Sequence, residues 1–179
     1  MAANTEDIKL GPCKVTFDVG GTSPVIFETT QGGVVLTYEE TTRAVNIDQY
    51  GTTPVKEIVT GRTATIACPI AEYDLAKLAA IIPGASLVTD GTTPTKQKVV
   101  VSATNVIDLL QYAKKVKLEP LAAGSTANDA ITLLKAAPRP ALNYTYSYDN
   151  ELITNVTFTA YPDATGDLIV FGDETAVDD

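Results

Sequence analysis

Acid–base and nucleophilic chemistry at neutral pH leans on histidine, and this chain of 179 residues contains none. Its absence removes the Ser–His and Cys–His nucleophile arrangements. Two thiols, Cys13 and Cys68, and 22 Asp and Glu residues are left as candidates for chemistry. The cysteines are too few for a disulfide framework and lack metal-ligand spacing. Both sit among apolar neighbours on predicted strands, which favours buried, inert thiols over a redox or intersubunit role and leaves their pairing open. A carboxylate pair of the glycosidase kind is defined by separation in space, and among so many acids nothing selects one pair. With no tryptophan and four phenylalanines, a sugar-stacking cleft has little support. "DVGGTS", Asp18 to Ser23, is glycine-rich but lacks the lysine and following helix of a phosphate loop, so it reads as a turn. No G-x-S-x-G, G-x-G-x-x-G or phosphate-loop pattern is present. The expectation is a protein that is not an enzyme, with no catalytic residue, no cofactor and no metal.

Composition points the same way. A hydrophobic fraction of 45% with 20% charged residues is that of a folding globular chain, and the length suits one domain, residues 1 to 179. No apolar run approaches the ~18 residues that cross a bilayer, and the first residues, "MAANTEDIKLG", lack a signal-peptide pattern. The expected subunit is neither inserted in a membrane nor exported through a signal peptide. A net charge of -9 and a pI near 4.4 argue against a duplex-binding surface, which needs clustered Lys and Arg. Acids crowd the end of the chain, at Asp163, Asp167, Asp173, Glu174, Asp178 and Asp179, while Lys96, Lys98, Lys114, Lys115 and Lys117 concentrate elsewhere. Such a split makes head-to-tail complementarity one reading of the charge pattern, beside a merely solubilising tail.

The elements that must position these residues are mostly strands. "KVTFDV" alternates Val15, Phe17 and Val19 against polar neighbours, and "RTATIACPI" does the same with Ala64, Ile66, Cys68 and Ile70. "GGVVLTYEE" puts Val34, Leu36 and Tyr38 on one face, after which Val45 and Ile47 have the opposite parity. A bulge or the end of core pairing must lie between. Helical spacing appears in "IAEYDLAKLAAIIPG", which predicts a helix of about residues 71–82 with Glu72 and Asp74 in its first turn, stopped by Pro83 and Gly84. "NVIDLLQYAKK" predicts a short helix, and the prolines of "PRP" predict an edge or kink. "LNYTYSYDNELITNVTFTAYPD" predicts a hairpin turning at Asp149–Asn150–Glu151, with Leu142, Tyr144, Tyr146 and Tyr148 in a row. The fold class expected is mainly β, a sandwich-like or barrel-like domain with one flanking α-helix.

The stretch from Gly32 to Gly84 resembles the major tail tube proteins of tailed bacteriophages. The features that carry the resemblance are the Gly-Gly-Val strand start, the turn Asp48-Gln49-Tyr50-Gly51 with Pro54 soon after, and the Thr60-Gly61 step into an alternating strand. The Leu- and Ala-rich helix ending in Pro83-Gly84 adds to them, as do "LLQYAKKVKLEPL" and "VTFTAYPD" further on. Order and spacing, rather than any one motif, make the similarity, which runs from Gly11 to about Phe171.

The resemblance implies a virion protein of the tail, assembled in the host cytoplasm. It would be a homo-oligomer of hexameric rings stacked into a tube through which DNA passes without specific binding. Other tail proteins would be its partners: the tape measure, the tail terminator, the baseplate and, in a contractile tail, a sheath. The polar excursion from about Glu39 to Thr60 would then be an intersubunit loop, with Asp48, Gln49, Tyr50, Gly51 and Pro54 near its tip. Acids facing the bore would repel phosphate, with Asp48, Glu57, Asp149 and Glu151 as candidates beside the C-terminal acids. Mobile chain ends and a mobile loop before assembly are expected with this reading. Three other readings stay open on the residues alone. They are a monomeric adhesion or carbohydrate-binding β module, a carboxylate-pair hydrolase, and the tube of a contractile injection device.

Overall fold

The computed structural model describes residues 9–103 and 106–177. The expected mobile ends, and the acids Asp178 and Asp179, fall outside these residues.

Ten strands and one α-helix are present among them. The strands are β1 (Cys13–Phe17), β2 (Val25–Phe27), β3 (Val35–Asn46), β4 (Pro54–Ile70), β5 (Ser86–Thr89), β6 (Gln97–Val100), β7 (Lys114–Pro120), β8 (Ile131–Leu142), β9 (Thr154–Ala160) and β10 (Ile169–Phe171). Helix α1 is Leu75–Ile81. Eight strands make one antiparallel sheet in the order β2-β1-β7-β8-β9-β4-β3, with β10 added beside β8. The sheet curls until its ends meet. Just past β2, at one margin, Thr30 bridges Ile70 of β4 near the other margin, with Gln31 N–H on the Pro69 carbonyl at 3.1 Å and Ala71 N–H on Thr29 at 3.0 Å. The result is the barrel-like, mainly β fold expected from the alternation.

Alternation also fills the barrel. Ala64, Ile66, Cys68 and Ile70 from β4 are at most 1% exposed, and meet Val15 and Phe17 of β1, Phe27 of β2, Val116 of β7, Leu133 of β8 and Phe158 of β9. Phe17 and Phe158 lie 5.4 Å apart between ring centroids. Burial in this interior pushes the Cys68 thiol up to about 12, with smaller contributions from Cys13 and Glu72, and raises half-buried Cys13 as well. Both thiols are free.

The helix is shorter than its periodicity suggested. It begins at Leu75 because Asp74 caps it, its Oδ1 accepting the N–H groups of Ala76 at 2.7 Å and Lys77 at 3.0 Å. Glu72 therefore stands outside the first turn, where it serves the sheet. Its Oε1 accepts the N–H groups of Glu28 at 2.8 Å and Thr29 at 2.6 Å, and Oε2 pairs with Lys77. A carboxylate thus pins the strand margin that closes the barrel.

The second expected short helix is a 3-10 turn, Leu109–Tyr112. Pro138 and Pro140 lie in β8 where pairing to β7 has ended and only β9 remains, so the strand is an edge at the point where the N–H groups are missing. β8 and β9 do form a hairpin, but its strands stop at Leu142 and Thr154. The tyrosine row does not exist. Tyr144 turns in to bond Thr154 Oγ1 at 2.5 Å and to stack edge-on to Tyr73, whereas Tyr146 and Tyr148 are exposed on the loop. "DVGGTS" is a turn as expected, with Asp18 at φ 64 and its carboxylate on Lys114 Nζ at 2.7 Å.

Candidate intersubunit arm

Above the barrel, β3 and β4 continue together as a two-stranded ribbon. From Thr37 to Thr63 every residue is exposed except half-buried Val45. β9 accompanies β4 only over Thr65–Ile70, so beyond Thr65 the ribbon has no third strand among the described residues and both its edges are open. From Glu39 to Asn46 it extends roughly 25 Å at the ordinary rise of a strand.

Local chemistry explains its shape. The tip is a 3-10 turn, Asp48–Tyr50, closed by Tyr50 N–H on the Ile47 carbonyl at 3.1 Å and Thr53 N–H on the Tyr50 carbonyl at 3.1 Å. Gly51 follows at φ 60, ψ -125, a backbone state that side chains disfavour even though a Cβ there would meet open space. Pro54 then opens β4, the strand position at which a missing N–H matters least. The register slips twice, between Thr41 and Thr42 and between Val45 and Asn46, so Thr60 and Val55 are extra residues on β4. Thr60 Oγ1 donates to the Thr41 carbonyl at 3.1 Å and holds the first bulge. Bulges twist and bend a ribbon, which discourages flat edge-to-edge pairing.

The parity change in the sequence has its cause here. The face that carries Leu36, Ile66 and Ala64 in the barrel becomes Glu40 and Arg62 at the base of the arm. Glu40 Oε1 accepts from Tyr38 Oη at 2.7 Å and Arg62 Nε at 3.0 Å. Those two donors, Tyr38 first, hold the Glu40 carboxyl below its usual range. Beyond that network Val45 and Ile58 fall on the opposite face, so the arm is not an extension of the core. Its apolar side chains include Ile47, Tyr50, Val55 and Val59, with Tyr50 64% exposed, and the barrel supplies no cover for them.

The five loop residues Asp48, Gln49, Tyr50, Gly51 and Pro54 are all placed at the arm's tip. The four candidate bore acids are not together. Asp48 and Glu57 are on the arm, and Asp149 and Glu151 are on the β8–β9 loop, where Glu151 Oε2 accepts from Gln31 Nε2 at 3.1 Å. Between them runs most of β4, roughly 40 Å along the strand from Glu57 to Ile70. The lysine concentration is also divided. Lys114 and Lys115 pair with Asp18 at 2.7 Å and Glu174 at 2.9 Å, whereas Lys117, at 3.2 Å, shares the one carboxylate of Glu119 with Lys14, so only the first two are matched charge for charge. Lys96 and Lys98 sit on the separate β5–β6 ribbon.

Sequence reading missed two groups, the Tyr38–Glu40–Arg62 network and the Glu72 latch. Glu40 and Arg62 are directly opposite in register, an opposite-charge cross-strand pair. Glu72 carried a weaker signal, a carboxylate two residues before a capping Asp.

No helix among the described residues is long and apolar enough to cross a membrane. No protein-family model matches the chain, and no curated protein matches it. Among solved structures it is similar to a chain in the cryo-EM structure of the anti-feeding prophage (AFP) baseplate, 6-fold symmetrised. Identity is 13%, the match covers 96% of this chain and 98% of that one, and the TM-score is 0.42. Similarity at that level carries neither fold nor role from one chain to another.

Proposed function

We propose that this protein is a structural subunit of a phage tail, polymerising as stacked hexameric rings into the tube that conducts DNA, and that it catalyses no reaction. One observation carries the self-assembling part of this reading: a long, exposed, apolar-bearing ribbon with both edges open, for which the described residues supply no partner. Its ordering is costly in a lone subunit and is offset when a neighbour covers it. The tube itself comes from the sequence resemblance, as do the hexamer and the other tail proteins as partners.

Acidity fits the conduit. Carboxylates around a bore repel phosphate, so DNA slides without sticking, whereas a basic wall would hold it in a salt-dependent way. With Asp48 and Glu57 at one pole and Asp149 and Glu151 at the other, each subunit contributes acids at two levels.

Electron microscopy of the purified protein over rising concentration tests the proposal. Rings or tubes of uniform diameter are expected, and replacing residues 39–60 by a short turn should leave a folded barrel that no longer assembles. A wild-type protein that stays monomeric throughout would overturn it.

A further inference from the structure

Two features lack partners among the described residues and match one another. The first is the arm face turned away from the core side. Arg43 is opposite Ile58 there, and Val45 is opposite Lys56, so two cations flank two apolar side chains. Neither cation has an ion pair among the described residues. The second is a trough of about 680 Å³ between β2 and α1, walled by Pro24, Val25, Ile26, Ala76 and Ala80. That is room for a few side chains rather than a domain.

Charge in the trough is lopsided. Its lysines, Lys77 and Lys114, are already paired with Glu72 and Asp18. Among the described residues Glu28 has no ion pair, and Asp74 engages only N–H groups, through Oδ1. An apolar floor with two uncompensated carboxylates is left, bordered by β2, a margin strand hydrogen-bonded to β1 on one side.

The arm of the same chain cannot fill the trough. Arm tip and trough lie at opposite ends of β4, since Pro54 follows the tip and Ile70 leads into Asp74 and α1. That separation is roughly 50 Å, about twice the reach of the arm beyond the barrel.

We propose that the trough receives the arm of a second copy, Val45 and Ile58 lying against Val25, Ile26 and Ala76, with Lys56 meeting Glu28 and Arg43 meeting Asp74. This rests on the self-assembly reading and names its donor and acceptor surfaces. The contact is heterologous, so it propagates head to tail rather than closing a symmetric dimer.

A charge-swap cycle with a cross-link tests it. Lys56→Glu and Glu28→Lys should each raise the concentration needed for assembly, by about tenfold for loss and reversal of a close pair. Together in one chain they should restore it. Oxidising a mixture of Val45→Cys and Ala76→Cys proteins should give a disulfide-linked dimer that neither gives alone and that wild type does not give. Wild-type tubes with additive charge effects and no mixed cross-link would sink the docking proposal and leave the tube reading standing. No self-association at any concentration would sink both.

Discussion

Glu72 Oε1 lies 2.6 Å from the backbone nitrogen of Thr29, and that contact joins the segment leading from β4 into α1 to the strand margin that closes the barrel. The same oxygen takes the Glu28 N–H, and the other oxygen takes Lys77. Partial burial pushes the carboxyl up, but Lys77 and the two N–H groups outweigh it and the group titrates below its ordinary range. A carboxylate depressed on folding stabilises above its unfolded pKa, and that contribution is lost as pH falls through the folded one. Glu72→Gln should therefore cost about 1–2 kcal/mol at pH 7 in urea unfolding. The gap to wild type should close below about pH 4; a gap that is constant with pH would contradict the latch.

Phe158 is fully buried and packs on Phe17 from the facing wall. Phe158→Ala should destabilise by about 3–5 kcal/mol, the usual cost of emptying an aromatic site in a close-packed core. Calorimetry should show a lowered Tm for the barrel.

Cys68 should be silent to thiol reagents while the protein is folded. With its pKa pushed up to about 12 and 1% exposure, only about one molecule in ten thousand is thiolate at pH 8. Titration with a chromogenic disulfide should find Cys13 slow and Cys68 unreactive until denaturant is added. Rapid modification of both in native buffer would contradict the packing.

Gly51→Ala should act locally. The backbone at φ 60, ψ -125 would be strained by about 1–3 kcal/mol, yet the arm is held to the barrel by no packing that would transmit it. Hydrogen exchange should quicken between Ile47 and Pro54 with the barrel's Tm almost unchanged. A large global loss would mean that the tip is integral to the folded unit.

Much of the barrel was legible because period-2 alternation is a direct record of burial, as Ala64, Ile66, Cys68 and Ile70 show. Tertiary partners were not legible. Glu72 and Asp74 look alike as acids at a helix start, and only the position of Thr29 across the seam separates a latch from a cap. The arm's register hid for a similar reason. Counting outward from Asn46 opposite Pro54 with no bulge would set Glu40 against Thr60, but two extra residues on β4 bring Arg62 there instead. Tyr146 and Tyr148 kept the spacing of a strand in a segment that has no neighbour to pair with. The arm's exposure was readable from its polarity, whereas the trough that complements it is made by β2 and α1, distant in sequence, and had no linear signature.

Because the arm and the trough sit at opposite poles of one chain, any polymer they join is directional, with bare arms at one terminus and vacant troughs at the other. A truncated copy that keeps the trough but lacks the arm could cap the first terminus and never the second, so traces of it would act as a one-sided growth poison.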